Sequence, residues 1–252
     1  MAGVEGFGEQ IVFGEYFHNP DLKPVSVFSW KQDSGWARMF EFESGQINHV
    51  HSIIPDSERK GVWILTGDFG GAAAIWFATQ NFQNVECVAK GSQDVRACLG
   101  FPTSDGLYFC TDSPMEQNYF SLLSKCEDSD SWNAKRLKEM GGPVIFYGRC
   151  KSGVVFSTSV EPMPNPKTVF WSVLSRKLGP GVNSHDSIVW HLSHEGELTE
   201  VTRNQKDVLP FLFQFGMSTF PANGERSKFV VCFNIALTKN DYSAEIWEPI
   251  NS

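Results

Sequence analysis

Positive charge is the first thing in short supply. Lys and Arg number 21 against 29 Asp and Glu, for a net charge of -8, which leaves no basic surplus for a phosphate backbone and argues against nucleic acid as a partner. Long apolar runs are also missing: none reaches the roughly 20 residues of a membrane-spanning helix, so no membrane association is expected. Residues Met1 to Gln10 lack the basic stretch and apolar core of a signal peptide, and a cytoplasmic location is expected. The six cysteines, Cys87, Cys98, Cys110, Cys126, Cys150 and Cys232, form no C-x-x-C pair, which removes a zinc knuckle. Most lie in apolar runs where a reduced thiol serves as a small hydrophobe. Helical patterning is scarce. Even Trp132 to Met140 fits better as a short outer strand, Ala134 to Glu139, than as a helix. The G-x-G spellings within Gly3 to Gly8 and Gly179 to Gly181 lack a strand–turn–helix setting and carry no nucleotide role.

What is present is aromatic and repetitive. Aromatic residues make up 13% of the 252 residues, with 21 Phe and 8 Trp, a composition that favours strands. Four runs read alike: Ile11 to Tyr16, Val62 to Asp68, Leu107 to Asp112 and Val154 to Ser159. Phe229 to Asn234 is a weaker fifth. Each is followed, after a loop, by a second run with an aromatic: Val25 to Phe28, Ala74 to Phe77, Asn118 to Phe120, Ile188 to Trp190 and Ala244 to Trp247. The first three copies recur about every 45–55 residues, the spacing of propeller blades. Turn chemistry is frequent, as in Asp33-Ser34-Gly35, Ser104-Asp105-Gly106 and Gly141-Gly142-Pro143.

These signals predict an all-β chain: a β-propeller of about five four-stranded blades, one domain over residues 1–252 with a flexible segment at 1–10. With strands lettered A to D from the centre outward, the repeated runs are B and the aromatic runs are C. Val50 to Ile54, Val95 to Phe101, Val144 to Cys150 and Phe213 to Phe220 read as A. Ala37 to Phe42, Val85 to Ala89, Ala134 to Glu139 and Leu198 to Thr202 read as D. The first unit starts at its B strand and the last ends at C, so both end units are expected to be short of a strand.

Several motifs resemble the sialidase-like, Asp-box (BNR-repeat) β-propellers. The resemblance rests on His49-Val50-His51-Ser52-Ile53, Trp63-Ile64-Leu65-Thr66-Gly67-Asp68, Ile75-Trp76-Phe77, Gly91-Ser92-Gln93 with Arg96, and Thr111-Asp112-Ser113-Pro114. Lys31 to Trp36 is similar to an Asp-box lacking its Ser, and Ser193-His194-Glu195-Gly196 to one with Glu for Asp. The resemblance implies that the Asp-box aromatic plugs its blade and that the chain handles a saccharide. A sialidase also carries an arginine triad, an R-I-P motif, a Tyr–Glu pair and an Asp acid. Here R-I-P is absent and only Arg96 stands at an inner-strand position.

In a propeller the loops entering strand A and leaving strand B share a face, which gathers His49, His51, Arg96, Tyr147, Glu15, Asp68 and Asp112 as the expected site. His49 and His51, two apart on a strand, point the same way. They suit a proton relay, a sugar acid or a divalent metal, although no cofactor or metal is assigned to them. Asp68 and Asp112, at equivalent positions of successive repeats, are the acid–base candidates. Arg96 is the anchor for a substrate carboxylate, with Glu15 and Tyr147 as further binding residues. The loop from Ser159 to Ile188 would overhang this face, and Trp171 is the Trp most open to stacking. Two functions stand: a glycan-related propeller that binds an acidic saccharide, and cleaves it where the carboxylates serve as hydrolase or the His and Tyr as lyase groups; or a non-catalytic scaffold for protein–protein interaction.

Overall fold

The computed structural model describes residues 1, 3–129, 131–163, 174, 176–221 and 229–248. The chain is all-β, built of the successive antiparallel meanders that are β-propeller blades. The first is β1 (Ile11–Gly14), β2 (Val25–Lys31) and β3 (Gly35–Phe42). The second is β4 (His49–Asp56), β5 (Gly61–Gly67), β6 (Ala74–Thr79) and β7 (Asn84–Lys90). The third is β8 (Ala97–Thr103), β9 (Gly106–Thr111), β10 (Asn118–Lys125) and β11 (Trp132–Met140). The fourth is β12 (Val144–Cys150), β13 (Gly153–Thr158), β14 (Asp186–Ser193) and β15 (Leu198–Gln205). The fifth is β16 (Met217–Thr219), β17 (Val230–Ile235) and β18 (Ala244–Trp247). Among the described residues the end sheets have three strands and the inner ones four, as the repeat arithmetic predicts. No helix among them is long and apolar enough to cross a membrane.

The chain divides into two compact units, Met1–Thr111 with Ser121–Arg136, and Asp112–Phe120 with Leu137–Ser252. In the first unit β5 is buried on both faces, and its side chains split by the period of two. Val62 and Ile64 join Val25, Val27, Phe42 and Val50 in one core; Trp63 and Leu65 join Ile54, Ile75, Phe77 and Phe109 in the next. Residues 1–10, expected to be flexible, place Val4 and Phe7 in the former core. In the second unit Cys150, Val155, Val189, Phe220, Val230 and Cys232 pack together.

The β5, β9 and β13 strands each open on a glycine because the neighbouring strand crosses too close for a side chain. A Cβ on Gly106 would lie 2.1 Å from the Leu123 carbonyl oxygen, one on Gly153 2.0 Å from that of Leu192, and one on Gly61 2.6 Å from that of Ala78.

Three expectations need correcting. Val95 lies in a 3-10 turn, Gln93–Val95, and the strand begins after it at Ala97. Phe213 is exposed in a turn closed by its N–H on the Pro210 carbonyl, so the fifth inner strand is only Met217–Thr219. Trp36 does not plug the sheet: it is 62% exposed and packs edge-on against Phe13, with ring centroids 5.5 Å apart. The other Asp-box-like turn does use its serine as a clasp. Ser193 Oγ accepts the N–H groups of Glu195 and Glu197 at 3.1 and 3.3 Å, and Gly196 supplies the positive φ of +83°.

Candidate functional site in the first unit

Bulges position the site. In the β4–β5 pairing Val50 faces Thr66 and Ser52 faces Leu65, so His51 is an extra residue with no cross-strand partner. The β8–β9 ladder slips in the same way at Cys98, and β12–β13 at Ile145. The three bulged residues are evenly spaced along the chain, and Arg96 precedes Cys98 as His49 precedes His51. Bulges re-aim side chains beside sites, and here the two imidazoles, nominally on one face of a regular strand, are brought edge to edge.

The loop leaving β5 is tied from several directions. Asn48 Oδ1 accepts the Asp68 N–H at 3.1 Å, and Gln93 Nε2 donates to the Asp68 carbonyl at 2.9 Å. The Thr66 hydroxyl donates to the Ala72 carbonyl at 2.8 Å. Asn48 is itself fixed by exchange with Asn19, each amide donating to the other's carbonyl.

This framework brings four predicted side chains together. His49 Nε2 lies 3.0 Å from His51 Nε2, and His51 Nε2 lies 3.3 Å from Asp68 Oδ1. His49 Nε2 is 3.5 Å from the same oxygen, and Arg96 Nη2 is 3.2 Å from it. His51 Nδ1 sits 2.9 Å from the Ala97 carbonyl oxygen, which can only accept, so that nitrogen carries the proton. His49 is 5% exposed, and among the described residues its Nδ1 is buried without a hydrogen-bond partner. Among the described residues the donor atoms of His49, His51 and Asp68 form a compact group capable of holding a metal with two imidazoles and a carboxylate.

Burial alone would raise the Asp68 carboxyl. The two imidazoles against its oxygen, and then the Arg96 charge, outweigh burial and hold it well below the usual carboxylate range. A carboxylate held so firmly ionised does not carry a proton at neutral pH. Of the two acid–base roles expected of Asp68, this state suits the base, which accepts a proton, and not the acid, which must hold one.

Glu15 is built into the fold. Its backbone carbonyl turns to accept the Val50 N–H at 3.0 Å, and its carboxylate takes over the ladder, accepting the Ser26 N–H at 2.7 Å. It clips β1, β2 and β4 together. Asp112 and Tyr147 belong to the second unit. Asp112 is buried directly after β9, ahead of a turn in which Asn118 accepts the Ser113 N–H at 2.7 Å and returns a bond to the Ser113 carbonyl. Tyr147 lies on β12 opposite Phe156. Trp171 and most of the loop before it lie outside the described residues.

Sequence reasoning missed two aromatics. The Tyr16 ring lies on His49, with centroids 4.1 Å apart, and the Arg96 guanidinium carbon lies 5.1 Å from the Phe69 ring centroid. Tyr16 is 70% exposed and Phe69 58%. The signal was present: each follows the acid that ends a repeated strand, Glu15-Tyr16 and Asp68-Phe69.

No family model matches this chain. No curated protein matches it either. Among solved structures, the WD40 domain of SCAP from fission yeast is similar over 89% of this chain and 50% of that one, with 9% identity and a TM-score of 0.32; the present chain spans half that domain's length. A chain in the Mitotic Checkpoint Complex is similar over 98% of this chain and 94% of that one, with 12% identity and a TM-score of 0.32.

Proposed function

We propose that the first unit binds a saccharide at the Tyr16, His49, Asp68, Phe69 and Arg96 cluster, and binds it without cleaving it. One observation carries the reading. Two exposed aromatic rings rest on members of a charged group whose carboxylate is itself 28% exposed. Flat apolar rings stack on sugar faces, an ionised carboxylate accepts hydroxyl hydrogen bonds, and a guanidinium pairs with an acidic sugar's carboxylate. The firmly ionised state of Asp68 supports recognition over acid catalysis.

The test is a glycan-array and glycosidase-panel screen of the purified chain beside Tyr16→Ala and Arg96→Ala. Binding of acidic saccharides that both substitutions weaken, with no turnover, is the expected result. Turnover would restore a hydrolase or lyase. If no saccharide binds, the reading fails and the interaction scaffold replaces it. That second reading is favoured by the exposed side chains Ile11, Phe13 and Trp36 on the first sheet, an apolar surface of the kind partners cover.

A further inference from the structure

We infer that His49, His51 and Asp68 form a binding site for one borderline divalent cation, with zinc as its probe. His51 Nδ1 spends its proton on the Ala97 carbonyl, so in the neutral ring Nε2 presents a lone pair. That lone pair faces Asp68 Oδ1, a second acceptor, at 3.3 Å and His49 Nε2 at 3.0 Å. A neutral His49 protonated at Nε2 has one proton to share between two acceptors, and protonated at Nδ1 it turns a third lone pair on the same point. Three electron-pair donors turned toward one point, two of them on imidazoles with little exposure, call for a shared cation.

The spacing fits one. Ligand atoms about 2.1 Å from zinc stand about 3.4 Å apart in a tetrahedron. They stand about 3.0 Å apart at neighbouring corners of an octahedron of the same radius. The three separations here are 3.0, 3.3 and 3.5 Å. A cation equidistant from the three atoms would sit just off their plane, leaving at least one position for water or a sugar oxygen. Two imidazoles with one carboxylate select zinc and its transition-metal neighbours over magnesium or calcium, which prefer all-oxygen shells.

Two of the three ligands, His51 and Asp68, have the outer partners that metal ligands require, whereas His49 Nδ1 has none among the described residues. A ligating histidine hands its other N–H to a backbone carbonyl, as His51 does with Ala97, and a ligating carboxylate is itself hydrogen-bonded, as Asp68 is by Arg96. An ionised carboxylate has acceptor capacity for both guanidinium and metal. Gly67 leaves room for the ring: a Cβ there would come within 2.2 Å of His51 Nε2.

The probe is the metal alone, so this inference and the saccharide reading succeed or fail separately. The chelator-stripped full chain is titrated with zinc by calorimetry and loaded with cobalt(II) for visible and X-ray absorption spectroscopy. One zinc per chain is expected. His49→Ala and Asp68→Ala, checked for folding by circular dichroism, should each weaken it by about 100-fold or more, the upper end of what loss of an outer-shell partner alone costs. Cobalt should show ligand-field bands without thiolate charge transfer, and its first shell two imidazole nitrogens with oxygen. The absence of stoichiometric zinc binding overturns the site, as does unchanged affinity in both variants. Sulfur in the cobalt shell of the wild-type chain, a measurement that needs no variant to fold, would assign the ion to a cysteine and equally overturn it.

Discussion

Gly67, paired with His49 across the β4–β5 ladder, lies so close to the His51 ring that no side chain fits between them: a Cβ on Gly67 would lie 2.2 Å from both Cε1 and Nε2 of that imidazole. The bulge that frees His51 from the ladder and the glycine that makes room for its ring are two halves of one arrangement. Gly67→Ala is expected to push the ring off Asp68 and to cost about 1–3 kcal/mol, the usual range for overpacking. A double-mutant cycle checks the cause. In a His51→Ala background the alanine at position 67 should cost little, and a coupling energy near zero would mean that the strain lies elsewhere.

Asp56 anchors a structural polar network in the first unit. It is buried, accepts the Trp63 indole N–H at 2.9 Å, and pairs with Arg59 through the backbone N–H and the guanidinium, both at 3.0 Å. Arg59 goes on to the carbonyls of Thr103 and Ser104. Asp56→Ala strands a buried indole N–H and a partly buried guanidinium, and should lower stability by about 3–5 kcal/mol. Asp56→Asn, which keeps one acceptor, should lose less. Urea midpoints at constant slope decide it; equal losses would show that the acceptor geometry does not matter.

The strands were legible because their cause is local. β-branched and aromatic residues recur at fixed intervals, and glycines mark the close crossings, so β12 and β18 begin and end where the pattern says. The meeting of His49, His51, Asp68 and Arg96 was legible because repeat position dictates which strand ends are neighbours. The bulge was not, since an extra residue in a ladder leaves no mark on the alternation. Nor was the use of Glu15, whose side chain replaces a backbone acceptor diverted to Val50. The misplacement of Trp36 has the same origin. A turn motif fixes the hairpin, as Gly35 with φ +72° does here, but not which face its aromatic takes.

The thiols should separate by burial. All six cysteines are free; Cys87 is exposed, whereas Cys110, Cys150 and Cys232 are buried. Burial and then the Glu245 charge push the Cys232 thiol up to about 12, and burial raises Cys110 well above its ordinary value. Partial burial raises the Cys87 thiol as well, but its exposure lets reagent reach it, so maleimide or disulfide-exchange reagents at pH 8 should modify Cys87 ahead of the three buried thiols. The three buried thiols should react only after denaturant is added. Peptide mapping by mass spectrometry reads this directly, and labelling of Cys232 in the native protein at the rate of Cys87 would contradict it.

His191 should make the second unit acid-sensitive. It lies on β14 between Val155 and Thr199, is buried, and its Nε2 is 3.0 Å from the Ser152 hydroxyl. Burial lowers its pKa, hydrogen bonding to Ser152 opposes that shift, and the neighbouring His194 adds to it. The folded ring therefore resists a proton that the unfolded chain accepts near its ordinary value of about 6.5. Between the two pKa values the unfolded state binds more protons, so stability rises with pH; the full contribution is present above about 6.5 and is lost as pH falls below it. One group gives a slope of at most about 1.4 kcal/mol per pH unit. Thermal melts from pH 7.5 to 5 should show the decline, and His191→Gln, which cannot take the proton, should flatten it. His194→Gln, removing only the neighbouring charge, should leave most of it. If the wild type and His191→Gln fall in parallel, the acid sensitivity belongs to other groups.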